Sequence, residues 1–239
     1  MKDLIYAIRS ETRKVLTLRS SLVFAIMLTG SIYGPIFLVG LAEDQTRPVD
    51  WGTLLIGGSI FNLLGLIFAA ASTGAQLSSG MQANAFLTQT RRSLWLIARL
   101  IVVVVFLVVT FLIGAILSLV VAAIMPKLGF DLGSPAGVFV NFIVFIGLGL
   151  LGAGLAVVFN SRVLAIALPF VWMYVVENLV TVAAFSIPGL ERVPEWLLGK
   201  AIGDVYQGID PGHASLVIAL WAAVAIIGGF VMNQRRDVK

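Results

Sequence analysis

Few residues in this chain could do chemistry, and most sit where chemistry is hard. Glu177 is the only ionisable residue well inside an apolar run. A carboxylate at that depth costs roughly 3 kcal/mol on insertion scales and needs a partner or a wet cavity. Asn178 beside it and Asn62 in an earlier run are candidate neighbours. Three roles are open to Glu177: a structural hydrogen-bond node, part of a transport path, or a proton-coupling group. The last is disfavoured by the lack of a second titratable group to relay a proton. Near the start, Glu11 falls on the apolar face of a helical segment. An unpaired carboxylate there is costly to desolvate. Its donor is either Lys14, three residues on, or a group on a neighbouring protein.

Other chemistries lack their residues. Cysteine is absent and His213 is the single histidine, so thiolate or polyhistidine metal centres are not expected. His213 reads as a solvated or capping residue. The only Gly-Lys pair is Gly199-Lys200, followed by Ala201, with Pro194 where a phosphate loop needs its first glycine. The chain therefore has no phosphate loop of its own. An intramembrane serine protease, a water channel and an inverted-repeat carrier each lack their signature.

The elements that must position these residues follow from composition. Of 239 residues, 59% are hydrophobic and 12% charged, against nearly a quarter charged in a soluble domain. About 20 apolar residues cross the hydrocarbon layer. The charge-free stretches hold six such spans, at 22–41, 53–74, 98–124, 138–159, 164–185 and 215–232. No room remains for a soluble catalytic domain. Residues 1–239 read as a single, all-α transmembrane domain, an integral membrane bundle of six helices.

Charge placement orients the bundle. Segments 1–21, 75–97 with Arg99, 160–163 and 233–239 carry 12 basic residues against three acidic ones, and the opposite connections carry four against eight. The positive-inside bias puts both termini in the cytoplasm of a cell-membrane protein. It also accounts for the net charge of +4 without nucleic acid. Residues 1–21 form an amphipathic interfacial helix, with Leu4, Ile8, Val15 and Leu18 on one face and Lys2, Arg9 and Arg13 opposite. Gly30 and Gly34 in span one, and Gly149 with Ala153 in span four, have small-xxx-small spacing for close packing. Packing within the subunit is expected, with a dimer seam as the alternative. Pro35 and Pro169 are expected to kink spans one and five.

Several segments resemble those of type-2 ATP-binding-cassette exporter permeases. "SETRKVLTLRSSLVF" (Ser10–Phe24) is similar to the family's entry segment at Glu11, Lys14, Thr17, Arg19 and Ser20, with Arg13 on the same helix. "FLTQTRRSLWLIARLIV" (Phe86–Val102) resembles the segment that follows its coupling helix, at Arg91, Arg92 and Arg99. "LPFVWMYVVENLV" (Leu168–Val180) is similar to its fifth span, and "NQRRDVK" (Asn233–Lys239) to its short basic end. The family's upstream acidic residue is replaced by Ser78, Ser79, Gly80, Met81 and Gln82. The resemblance implies that 75–97 is a cytoplasmic coupling segment, with Met81, Gln82, Asn84, Phe86, Arg91 and Arg92 facing an ATPase. It implies that 186–214 is an external hairpin of short re-entrant helices. It also implies two copies of a separate ATPase subunit, which would bind ATP and Mg, and a second or related permease subunit. Export would follow from the resemblance, and the abundance of Phe, Leu and Val in spans one, two and five favours an amphipathic or apolar cargo over a sugar chain. A non-transporting membrane scaffold or immunity protein, and an ion-coupled carrier, are the alternatives.

Overall fold

A computed structural model describes residues 2–42, 47–79 and 92–235. In chain order the helices are α1 (Lys2–Thr17), α2 (Arg19–Ala42), the short α3 (Trp51–Leu54), α4 (Gly58–Ser78), α5 (Arg92–Ile124) and α6 (Ala136–Phe159). Next comes α7 (Arg162–Val171), a π-helical segment (Trp172–Val176) and α8 (Glu177–Ser186), which together make one rod. A 3-10 turn (Val193–Trp196), α9 (Leu198–Gln207) and α10 (Pro211–Arg235) complete the described chain. Six of these rods are long and apolar enough to cross a membrane: α2, α4, α5, α6, α7 to α8, and α10.

The middle of the bundle is α4 and α6, whose apolar windows are 56% and 61% buried. Four phenylalanines from three helices fill it. Phe61 of α4 meets Phe111 of α5 edge-on at 5.4 Å and Phe145 of α6 at 5.3 Å, and Phe142 closes the group. Such edge-to-face pairs add about 0.5–1.5 kcal/mol each beyond their buried area. Where α6 meets α10, Gly154 lets the backbones touch, since a Cβ there would stand 2.7 Å from the Ala225 carbonyl. The small-residue run of span four thus packs inside the subunit as expected.

Span one differs. Among the described residues, a Cβ on Gly34 would meet nothing within 4 Å, and one on Gly30 only the Tyr33 hydroxyl at 4.0 Å. The expected packing of these glycines within the subunit is not found. The close approach between α2 and the next segment runs instead through Gly57, where a Cβ would lie 1.8 Å from the Ser31 carbonyl oxygen. That contact also moves the start of span two. Asp50 caps α3 by accepting from the Thr53 amide at 2.8 Å, the chain turns at Leu55–Gly57, and α4 begins at Gly58 rather than 53.

Two further boundaries depart from the sequence reading. Helix α4 runs to Ser78 and α5 starts at Arg92, so the connection expected over 75–97 shrinks to 79–91. At the opposite end of the bundle, Arg47–Val49 pairs in parallel with Leu128–Phe130, a two-stranded ladder that the all-α reading did not contain. In the fifth rod Pro169 withholds a backbone donor, and the π segment follows three residues later.

Candidate functional site

Two polar clusters lie inside this apolar frame, one at each end. The first gathers at the end where α1, α4 and α5 meet. The buried stripe of α1 is Ala7, Glu11 and Val15, with Glu11 2% exposed. Its Oε1 accepts from Lys14 Nζ at 2.5 Å, and its Oε2 from Gln76 Nε2 at 2.9 Å. Arg99 NH1 stands 3.5 Å from the same Oε2. The Arg99 side chain is completely buried, and donates from Nε to Thr73 Oγ1 at 3.2 Å and from NH2 to Ser72 Oγ at 2.5 Å. One carboxylate therefore ties α1 to the ends of both helices that residues 79–91 join.

Lys14 is thus a donor to Glu11, as the sequence offered, but two more come from the body of the bundle. Arg99 was hidden by span assignment. Starting the third span at 98 makes Arg99 a boundary charge, whereas the helix begins at Arg92 and Arg99 lies seven residues in, about 10 Å along the axis. Arg13 and Arg19 are exposed and take no part in this cluster. Met81, Gln82, Asn84, Phe86 and Arg91 lie outside the described residues, as does the side chain of Arg92, which opens α5.

The second cluster surrounds a cavity of about 430 Å³ between α4, the π segment with α8, and α9. Glu177, Asn62 and Asn178 all line it, with Tyr206 of α9 and the apolar Leu148 and Met173. The three residues singled out together in the sequence are therefore brought to one place, but they do not pair with one another as expected. Glu177 Oε2 accepts from the Gly199 amide at 2.8 Å, with the amides of Leu198 and Lys200 facing the same carboxylate. These are first-turn donors of α9, whose own N-cap position, Leu197, offers no side-chain acceptor. A helix N-terminus has unsatisfied N–H groups and a partial positive charge. Glu177 supplies both acceptor and counter-charge from 22 residues away. The missed partner is backbone, which no side-chain pattern reveals.

Asn62 pairs elsewhere. Its amide donates to the Tyr206 hydroxyl, which in turn donates to Asn141 Oδ1 at 3.0 Å, linking α4, α9 and α6. Burial pushes the Tyr206 phenol up to about 12, against the opposing pull of the Asn62 hydrogen bond. Beyond this link lies a second cavity of about 530 Å³, which shares Ser59 and Tyr206 with the first. Asn178 is exposed and donates to the Tyr174 carbonyl at 2.8 Å. Among the described residues, two oxygens in the first cavity make no close hydrogen bond, Glu177 Oε1 and Asn62 Oδ1, though Trp172 Nε1 faces the Glu177 carboxylate. Their residues are 5% and 3% exposed.

Asp210 caps α10, its Oδ1 accepting from the His213 amide at 3.2 Å, and the His213 ring lies edge-on to Trp196 at 5.0 Å with Nε2 3.2 Å from the Glu195 carbonyl. The capping role that the sequence reading offered His213 belongs to Asp210, and the half-buried His213 ring packs on Trp196 instead. Among the described residues no group of three or more His, Cys, Asp or Glu could hold a metal ion. No protein-family model and no curated protein matches the chain. The functional reading therefore rests on the residues themselves.

Proposed function

We propose that this chain is the permease subunit of a type-2 ATP-binding-cassette exporter, as its sequence segments resemble. The basic end of the bundle faces the cytoplasm of a plasma or inner membrane, with both termini on that side. Helix α1 lies in the inner membrane interface, and residues 186–214, with α9, form a re-entrant hairpin on the outer side. Two permease subunits, identical or related, enclose the path, and two copies of a separate ATPase supply ATP and Mg chemistry beneath them. ATP binding closes the ATPases and pushes on residues 79–92.

The observation that carries this reading is the buried Glu11 cluster. Arg99, Gln76 and Glu11 fasten α1 to α4 and α5, the two helices that residues 79–91 join. A push on that connection is then shared by three helices and is not lost in bending one of them. The second copy is supported by the open Gly30 and Gly34 face of α2, and by the 17% burial of the α2 and the α7 to α8 windows. Exposed Tyr174 and Asn178 on the fifth rod are polar groups that a lipid face does not require.

Co-purification tests the proposal. Mild-detergent extraction from the native membrane is expected to bring down a phosphate-loop ATPase in equimolar amount. Phe86→Asp and Arg91→Ala should release it while leaving the amount of chain in the membrane unchanged. Recovery of the chain alone, with both variants behaving as the parent, would refute the permease reading in favour of a scaffold.

A further inference from the structure

The cavity beneath α9 holds an unbalanced set of polar atoms. Its two unpartnered oxygens, Glu177 Oε1 and Asn62 Oδ1, are both acceptors, and both belong to residues more than nine-tenths buried. Buried polar atoms in native folds are nearly always paired, so a buried acceptor without a donor marks a place for one. Among the described residues, the one cationic side chain on the cavity wall is Lys200, which Asp204 Oδ2 already holds at 2.6 Å. The Tyr206 hydroxyl has spent its proton on Asn141, and the Asn178 amide is engaged with the Tyr174 carbonyl. Trp172 Nε1 is the one further side-chain N–H that faces the Glu177 carboxylate, so among the described residues the wall offers two open acceptors and a negative charge against a single neutral donor.

The remaining surface sets the shape of the ligand. Leu63, Leu148, Met173 and Ile202 line the same space. A volume of about 430 Å³ falls within the usual range for small-molecule sites. A bare metal ion fits poorly, because hard cations take six or more oxygens and only two are free here. A primary ammonium carries three N–H donors and one positive charge, and its alkyl part suits the apolar wall. The π segment at Trp172–Val176 adds a third indication, since such bulges in a helix recur at functional sites. It ends immediately before Glu177 and thereby sets the face on which that carboxylate emerges.

We infer that this cavity is a binding site for an amphipathic primary amine, with the ammonium group on Glu177 Oε1, a donor to Asn62 Oδ1, and the apolar part along Leu148 and Met173. Glu177 then does two jobs with its two oxygens, holding α9 through Oε2 and the ligand through Oε1. This deepens the permease reading, since it names the class of cargo or regulator the subunit would take, but the site itself needs neither ATP nor a second subunit.

The test uses the full chain in phosphatidylcholine nanodiscs, titrated with hexylammonium chloride while tryptophan emission is followed, with empty discs as the blank. Trp172 Nε1 is buried and faces the Glu177 carboxylate that the ammonium would engage, so occupancy should change its emission. Saturable binding of hexylammonium is expected, with none for hexanol or hexanoate. Glu177→Gln keeps an acceptor for Gly199 but loses the charge, and should weaken binding roughly tenfold or more. Asn62→Leu should weaken it less and leaves Glu177 in place if the first variant fails to fold. Equal binding of hexanol and hexylammonium, or parent-like affinity in a folded Glu177→Gln variant and in Asn62→Leu, would overturn the inference. Such a result leaves co-purification of an ATPase untouched, and loss of co-purification leaves amine binding untouched.

Discussion

Removing the carboxylate of Glu11 should hurt more than removing the cation it faces. Glu11→Gln leaves the guanidinium of Arg99 fully buried, with only the hydroxyls of Ser72 and Thr73 as firm partners. At the observed 3.5 Å and an effective dielectric of roughly 20, the lost attraction is about 5 kcal/mol. Stranding one member of a buried pair usually costs about 3–5 kcal/mol. Arg99→Met leaves Glu11 with Lys14 at 2.5 Å and Gln76 at 2.9 Å, so the loss should be nearer that of one or two hydrogen bonds, about 1–3 kcal/mol. The double variant should cost less than the sum, by about 1.5 kcal/mol or more, because the stranded charge is gone. Unfolding in mixed lipid–detergent micelles gives the energies, and trypsin cleavage at Arg9 and Arg13 reports release of α1. Parent-like stability in Glu11→Gln, or a larger loss in Arg99→Met, would refute this account of the cluster.

Four other outcomes follow from single positions. Glu177→Ala removes the acceptor of the Gly199 amide and should cost about 1–2 kcal/mol, in the range of a lost helix cap. Faster hydrogen exchange at Gly199 and Lys200 would show it, while Glu177→Gln should protect both amides nearly as well as the parent. Gly57→Ala should force α2 and α4 apart and destabilise by about 1–3 kcal/mol. Gly34→Ala should leave the isolated subunit unchanged and alter only pairing between copies, read by cross-linking. Tyr206, raised from 10.0 to about 12, contributes stability that is fully present below pH 10. It is lost as pH rises through about 12. Tyr206→Phe should remove that alkaline loss, read by comparing unfolding of the variant and the parent at pH 9 and pH 12.

The apolar runs announced the six rods because a bilayer-length helix has few ways to hide its composition. Glu11 was legible for the same reason, as a carboxylate on an apolar face with Lys14 at helical spacing. Its other partners were not. Arg99 reads as a boundary charge unless the helix is known to begin at Arg92, and Gln76 comes from a segment 65 residues away. Glu177, Asn62 and Asn178 were singled out because polar groups in lipid need a reason, and one cavity does collect them. Their bonds go elsewhere, to the Gly199 backbone, to Tyr206 across 144 residues, and to the Tyr174 carbonyl. The glycine pairs show the same limit. Small-xxx-small spacing marks a face that can be approached closely, but it is alike for Gly149, which packs within the subunit, and Gly34, which does not.

The central claim is that the spans are moved by a separate ATP-binding subunit gripping residues 79–92. The chain has no cysteine, so a single Ser186→Cys variant can carry one spin label on each copy near the outer end of α8. Double electron–electron resonance on the purified complex is expected to show the distance between copies shifting when a non-hydrolysable ATP analogue is added. No shift is expected for the chain alone, or when residues 81–91 are replaced by a Gly-Ser linker. A distribution that ignores nucleotide in the complex, or one that shifts without the partner, would contradict the account.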